Sequence, residues 1–131
     1  MERMEWIVEY GNIWAERDWS IKRISRLFTE DAIYRPNVAP TIEPAYVGHA
    51  GIIAYLDRTI PTLNWTDMNV GQVVFADDHA IIQSWLQGVV DGKPTTEILC
   101  TCVRFASDGR CAETRDFPVI IDGHVAPFEG W

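Results

Sequence analysis

The first half of the chain has the hydrophobic spacing of amphipathic helices. A helix over about residues 3–17 is predicted by a stripe at i, i+4, i+7 and i+8, made by Trp6, Tyr10, Ile13 and Trp14. A shorter helix follows, with its apolar side at Ile21, Ile24, Leu27 and Phe28. After a short strand at "AIY", a third helix is expected over about residues 49–59, and Pro61 ends it.

The second half has the pattern of β-strands. Four apolar or alternating runs cover about residues 64–76, 79–90, 95–106 and 110–121, and "ADDH", "VDGKP" and "SDGR" separate them. The DG dipeptides favour hairpins, so we expect an antiparallel meander. The predicted fold class is α+β, with the helices on one face of the sheet. Before the third helix, "RPNVAPTIEPAYVG" predicts a long irregular loop of the kind that often forms a lid or a mouth.

The last hairpin puts one carboxylate in an unusual position. If Asp108 and Gly109 are the turn residues, Arg104 pairs with Glu113 on one face and Thr101 with Asp116 on the other. Asp116 then lies on the more apolar face, near Glu97. An unpaired carboxylate there is costly, which makes Asp116 a candidate general acid or base. The alternative is a structural Asp that is hydrogen-bonded by Thr101 or by a backbone amide, or is wetted at the end of the sheet.

Size and charge exclude several classes of partner. The 131 residues suit a single domain over 1–131. A formal net charge of −8 argues against nucleic acid as a partner. No apolar run approaches the ~20 residues that cross a membrane, so no membrane partner is expected. The N-terminus "MERMEWIVEYGNIW" lacks the layout of a signal peptide, so we expect a cytoplasmic protein.

The cysteines do not indicate a metal site. Cys100, Cys102 and Cys111 are odd in number and have no CxxC spacing. The chain also lacks a phosphate-binding loop and a Ser/His/Asp arrangement. We therefore expect neither a metal nor another cofactor.

The order of elements and three segments are distinctive, namely "LFTEDAIYRP", "YVGHAGIIAYL" and "DGRCAETRDF". Through them the chain as a whole resembles the nuclear-transport-factor-2-like superfamily. They point to the branch of the SnoaL-like cyclases and limonene epoxide hydrolases, and the tail "DFPVIIDGHVAPFEGW" is similar to that of bacterial members ending in a GW motif. The resemblance implies a cone, in which a curved antiparallel sheet wraps about three N-terminal helices and encloses an apolar cavity.

The resemblance also implies roles for single residues. SnoaL-like cyclases and epoxide hydrolases use an acidic residue of the last strand as acid or base, and Asp116 lies at that position. Tyr34 matches a Tyr that the epoxide hydrolases place after the second helix. Their remaining Arg and Asp fall at Trp85 and Gln87, which departs from their water-activating triad. Asp116 and Tyr34 are therefore the predicted catalytic pair.

The ketosteroid isomerases of the same superfamily match less well. Their catalytic base falls at Pro36 and their oxyanion-hole acid at Thr101. Because a proline cannot abstract a proton, we reject steroid isomerisation by that mechanism. Tyr10 coincides with their first-helix Tyr donor if the "ERDWS" loop is aligned accordingly.

We expect a small hydrophobic molecule to bind in the cavity. Its predicted binding residues are Tyr10, Trp14, Trp85, Gln87, Glu97 and Thr101. Gln83, Trp85 and Gln87 share a strand face, where the amides could hold a carbonyl or enolate oxygen. The alternative is that this face is the solvent side of the strand. For Tyr10 and Trp14 the alternative is core packing.

Two functions fit these features. The first is a cofactor-independent enzyme in which Asp116 moves a proton during cyclisation, dehydration, isomerisation or epoxide opening. The second is a non-catalytic module that binds a small molecule or dimerises. A homodimer is implied by the resemblance, with its seam on the outer sheet face at Ile98, Cys100, Cys102 and Phe117.

Overall fold

The computed structural model describes residues 1–37 and 45–127. Within them the chain forms three helices, one 3-10 turn and six strands. In chain order these are α1 (Arg3–Glu16), α2 (Ile21–Leu27), β1 (Phe28–Arg35), β2 (Tyr46–Val47), α3 (Gly48–Thr59), the turn Ile60–Thr62, β3 (Leu63–Ala76), β4 (His79–Val90), β5 (Lys93–Phe105) and β6 (Cys111–Asp122). The helices and the four long strands lie close to their predicted bounds, whereas β1 is longer than predicted and β2 was not predicted.

Local residues explain where the first two helices end and begin. At the end of α1, Arg17 adopts a left-handed conformation (φ 56°), and its backbone N–H donates to the carbonyl oxygen of Ile13. Ser20 then caps α2, because its hydroxyl oxygen accepts a hydrogen bond from the backbone N–H of Arg23. None of the helices in the described part of the chain has the length and apolar character that crossing a membrane requires.

The sheet is mixed and not wholly antiparallel as predicted. Its strand order is β2-β1-β6-β5-β4-β3, and β1 pairs with β6 in parallel. The other neighbours are antiparallel. A parallel pair needs a long connection, and here α3 and four strands separate β1 from β6. Three helices packed on a curved, unclosed sheet otherwise confirm the predicted α+β cone.

The register of the last hairpin is the predicted one beyond its turn. Arg104 lies opposite Glu113, and Thr101 lies opposite Asp116. The predicted two-residue turn is wrong, because the strands end at Phe105 and resume at Cys111, with a register shift next to Arg104. The irregularity lies on the turn side of the charged pair, so it leaves the pairing of Asp116 unchanged.

An aromatic cluster closes one end of the space between α1 and the sheet. Trp6 is fully buried, stacks on Tyr10 at 4.9 Å between ring centroids and meets Phe28 and Phe105 edge to face. Its indole N–H donates to the carbonyl oxygen of Leu27 at 2.7 Å, so the polar atom of the ring is satisfied. Beyond Tyr10 the space is open, and this is where the candidate site lies.

Candidate functional site

A cavity of about 630 Å³ lies between α1, α3 and the inner face of the sheet. Its walls are mainly apolar, and the exposed residues Asp91, Lys93 and Asp122 lie at its mouth. Six of the predicted site residues line it, namely Tyr10, Trp14, Tyr34, Glu97, Thr101 and Asp116. A volume of this size accepts a small organic molecule.

Asp116 is a buried carboxyl group at the wall of this cavity. Only 7% of its surface is exposed, and the Thr101 hydroxyl donates to its Oδ1 at 2.7 Å. Among residues 1–37 and 45–127, Thr101 is its only hydrogen-bond donor. Burial raises the pKa of Asp116 from 3.8 to about 7, the Thr101 hydrogen bond opposes the rise, and the charge of Glu97 adds to it. The carboxyl group therefore gains or loses a proton near neutral pH.

Two tyrosine hydroxyls face the same space. The Tyr10 and Tyr34 hydroxyl oxygens are 2.7 Å apart, and Tyr34 is almost completely buried. Burial raises the pKa of both phenols well above 10, and the charge of Asp116 raises them further. Both phenols therefore stay protonated, so one hydroxyl can donate to the other while the second keeps a proton for an oxygen in the cavity.

Glu97 is the second carboxyl group of the cavity wall. On β5 it is four residues from Thr101, which corresponds to about 13 Å along a strand, and it lies opposite Leu86 and Ile120 on the neighbouring strands. Burial raises its pKa from 4.5 to about 7. It makes no hydrogen bond or ion pair to any other residue that the structure describes. In this part of the chain no three His, Cys, Asp or Glu side chains gather as metal ligands.

Trp14 borders the cavity from helix α1. It is half-buried and packs against the core, with its ring 6.4 Å from that of Tyr10 in an edge-on arrangement. Tyr10 and Trp14 therefore both pack against the core and line the cavity. The two alternatives considered for these residues are both correct.

The prediction that Trp85 and Gln87 line the cavity is wrong. On β4 the side chains of Ile82, Ser84 and Leu86 line it, so Trp85 and Gln87 project from the outer face. The indole N–H of Trp85 donates to the carbonyl oxygen of Val125 at 2.9 Å, and the Gln87 amide donates to the same oxygen. These side chains hold the C-terminal segment against the sheet. The alternative interpretation, in which this face is the outer side of the strand, is therefore correct.

Two aromatic residues of the wall, Tyr55 and Trp65, were not predicted from the sequence. The ring of Tyr55 lies 5.1 Å from that of Tyr34. Tyr55 follows Ile52 by three residues, so it lies next to the face of α3 that buries Ile52 and Leu56, and the helical spacing of these apolar residues could have indicated it. Trp65 could not be assigned without the register, which pairs it with Gly88. Of the predicted lid or mouth over residues 35–48, residues 38–44 lie outside the described part of the chain, and Tyr46–Val47 form strand β2.

Solved structures share this fold at low sequence identity. One, from Shewanella denitrificans and described as a SnoaL-like polyketide cyclase, is 20% identical, with 89% of this chain and 90% of that chain covered and a TM-score of 0.69. A hypothetical protein from Catenulispora acidiphila has a ketosteroid isomerase-like fold and was crystallised in complex with trimethylamine; it is 19% identical over 86% of this chain and 84% of its own, with a TM-score of 0.70. A steroid delta-isomerase from Pseudomonas aeruginosa is 18% identical over 98% and 82%, with a TM-score of 0.63. At these identities the likeness shows the fold alone.

The comparison with family descriptions is more specific. No functionally curated protein sequence matches the chain. The SnoaL-like domain, however, matches residues 7–114, which is most of the chain and spans every element from α1 to the start of β6. Asp116 follows two residues after the matched segment. The chain therefore belongs to the family of SnoaL-like domains.

Proposed function

We propose that the protein is a small cofactor-independent enzyme in which Asp116 acts as the general acid or base. Its substrate is a small hydrophobic carbonyl compound or epoxide, and the reaction is a cyclisation, dehydration, isomerisation or epoxide opening. The observation that carries the proposal is the environment of Asp116, which faces the cavity, is buried and receives only the Thr101 hydrogen bond from the described residues. A structural carboxylate at such a depth would have more donors.

The neighbours of Asp116 suit proton transfer. Thr101 holds Oδ1 and so leaves Oδ2 for the substrate. With a pKa of about 7, both protonation states are populated at neutral pH, which is where an acid–base catalyst works best. The Tyr10–Tyr34 pair supplies the hydroxyl that stabilises negative charge on a substrate oxygen.

Membership of the SnoaL-like family supports an enzyme in general terms. Structures of the same fold include proteins described as a polyketide cyclase, a steroid isomerase and an epoxide hydrolase/cyclase-like enzyme. All three descriptions involve proton transfer to or from carbon or oxygen, and this is the chemistry assigned to Asp116.

Proton abstraction can be tested without knowing the substrate. We suggest 5-nitrobenzisoxazole as a probe, since a base that removes its C3 proton opens the ring. The C–H electron pair forms the nitrile, the N–O bond breaks, and the product is a coloured phenolate. The rate should rise with pH through about 7, because the ionised form of Asp116 is the base. Asp116→Asn should lower it by about 10²–10⁴-fold.

Glu97→Gln is the matched control, because it removes the other cavity carboxyl group. It should keep most of the proton-abstraction rate. If Asp116→Asn keeps the wild-type rate, the proposal is wrong; if only Glu97→Gln loses it, Glu97 is the base.

A binding module without catalysis is the second candidate. A mainly apolar cavity suits ligand capture alone, and the Catenulispora acidiphila protein of this fold was crystallised with trimethylamine. Such a module would bind ligand equally well with Asn at position 116 and show no reaction. We also propose a homodimer, for either candidate: of its predicted seam on the outer sheet face, Phe117 is exposed and Ile98, Cys100 and Cys102 are half-buried, and sedimentation would detect a dimer. The single domain and the cytoplasmic location stay predictions.

A further inference from the structure

The charges that line the cavity are unbalanced. Among the described residues that line it, four are acidic, namely Asp91, Glu97, Asp116 and Asp122, and only Lys93 is basic. Lys93 lies at the mouth, so no basic side chain of residues 1–37 and 45–127 lines the interior. The lining residues from α1, α3, β1 and β3 carry no charge. An anionic ligand would meet repulsion throughout, whereas a cationic one would supply the missing charge.

Glu97 is where a compensating charge is most needed. Its carboxyl group has no hydrogen bond or ion pair to another described residue, and Leu86, Leu99 and Ile120 surround it on the same face. Asp122, two residues beyond its β6 neighbour Ile120, also lines the cavity and is acidic, and the charge of Glu97 acts on Asp116, which has the same sign. An ionised carboxylate in such surroundings is costly unless a cation pairs with it.

Five aromatic side chains line the cavity. Tyr10, Trp14 and Tyr55 line it from the helices, and Tyr34 and Trp65 from the sheet. Trp65 pairs with Gly88, which pairs with Thr95, two residues from Glu97. Gly88 adds no side chain to the wall between Trp65 and Thr95. Tryptophan and tyrosine faces attract organic cations.

We propose that the substrate or ligand of this cavity carries a tertiary or quaternary ammonium group. The Glu97 carboxylate and the aromatic wall at Trp65 would hold this group. The inference names the substrate class for the proposed function and rests on it only in taking the cavity as the reaction site. Asp116 then serves the reacting end of the molecule, and Glu97, about 13 Å away along the strands, serves its charged end.

A matched pair of ligands tests the charge alone. Benzyltrimethylammonium and its carbon isostere neopentylbenzene have nearly the same shape and differ in charge, and both can be titrated into isotope-labelled protein by NMR. At pH 8 the cation should bind about tenfold more tightly or better. The preference should shrink below pH 6, since Glu97 and Asp116 take up protons as the pH falls through about 7.

Glu97→Gln should remove most of the preference while leaving the affinity for the neutral isostere unchanged, and the aromatic rings and Asp116 account for the remainder. The control is Glu30→Gln, which removes a carboxyl group from an exposed position outside the cavity and should keep the wild-type preference. Equal binding of the two ligands at pH 8, or a preference that Glu97→Gln leaves undiminished, would overturn the inference. Neither result touches the proposed function, which depends on the loss of proton abstraction in Asp116→Asn.

Discussion

The two faces of strand β6 shift the pKa of a carboxyl group in opposite directions. Asp116 faces the cavity, where burial raises its pKa to about 7. Glu113, three residues earlier, lies on the outer face among three arginines. Arg115 contacts its carboxylate at 2.6 Å, Arg35 at 3.3 Å and Arg104 at 3.7 Å. Burial alone would raise the pKa of Glu113, but the hydrogen bonds and charges of Arg115 and Arg35 outweigh it, so the pKa is lowered.

This difference separates a structural charge from a chemically usable one. Glu113 is ionised at every pH near neutrality and joins strands β1, β5 and β6 through the arginines. Among the described residues Asp116 has one neutral donor, Thr101, and it changes its charge near pH 7. A carboxyl group keeps such a pKa only if no cation lies within a few ångströms of it, because a neighbouring positive charge lowers the pKa. The inner face of the sheet meets this condition, and the outer face does not.

The largest expected effect is on stability in Asp116→Asn. The folded-state pKa of about 7 lies above the usual value of 3.8, so between these pH values the folded wild type binds more protons than the unfolded chain, and its stability falls as the pH rises. A shift of this size corresponds to about 4 kcal/mol at pH 8. Asn cannot ionise, so the free energy of unfolding of the variant should increasingly exceed that of the wild type from pH 4 to 7. Above pH 7 the difference should stay constant.

Chemical denaturation at pH 4, 6 and 8 measures this gain in the free energy of unfolding. Asp67→Asn, at an exposed position of β3, is the matched control and should show no such trend. A variant that is less stable than the wild type at pH 8 would mean that Asp116 is a satisfied structural group, and the enzyme hypothesis would lose its proton carrier.

Glu113→Gln should change the free energy of unfolding in the opposite direction and by a smaller amount. The substitution removes the charge that three arginines contact, so we expect a loss of about 2 kcal/mol at pH 7. The folded-state pKa of Glu113 lies below its usual 4.5, so its contribution is fully present above 4.5 and is lost as the pH falls through the lowered value. In the same denaturation series, the difference in the free energy of unfolding between wild type and variant should therefore shrink as the pH is lowered. A difference that grows in acid would show that the arginines do not stabilise the ionised form of Glu113, and the two faces would not differ as described.

The difference between the two faces could be predicted in part from the sequence. The opposite charges of Arg104 and Glu113 favoured one register of the last hairpin, and that register brings Thr101 opposite Asp116. Strand β4 offered no such signal, because Ile81, Ile82, Trp85 and Leu86 place apolar side chains on both faces. Which face is inner depends on α1 and on the C-terminal segment, both of which are distant in sequence. The parallel pairing of β1 with β6 escaped prediction for the same reason.

The smallest expected effect tests whether the outer face is independent of the cavity. Trp85→Phe removes an indole N–H that donates to the Val125 carbonyl oxygen, but Gln87 still donates to that oxygen. We therefore expect the free energy of unfolding to fall by only about 1 kcal/mol. The rate of proton abstraction from 5-nitrobenzisoxazole should stay within about twofold of wild type, because Asp116 and Thr101 lie on the other face of the sheet and keep their contact. A rate loss comparable to that of Asp116→Asn, at wild-type stability, would show that the C-terminal segment shapes the site through the sheet, and the two faces could not be treated as separate.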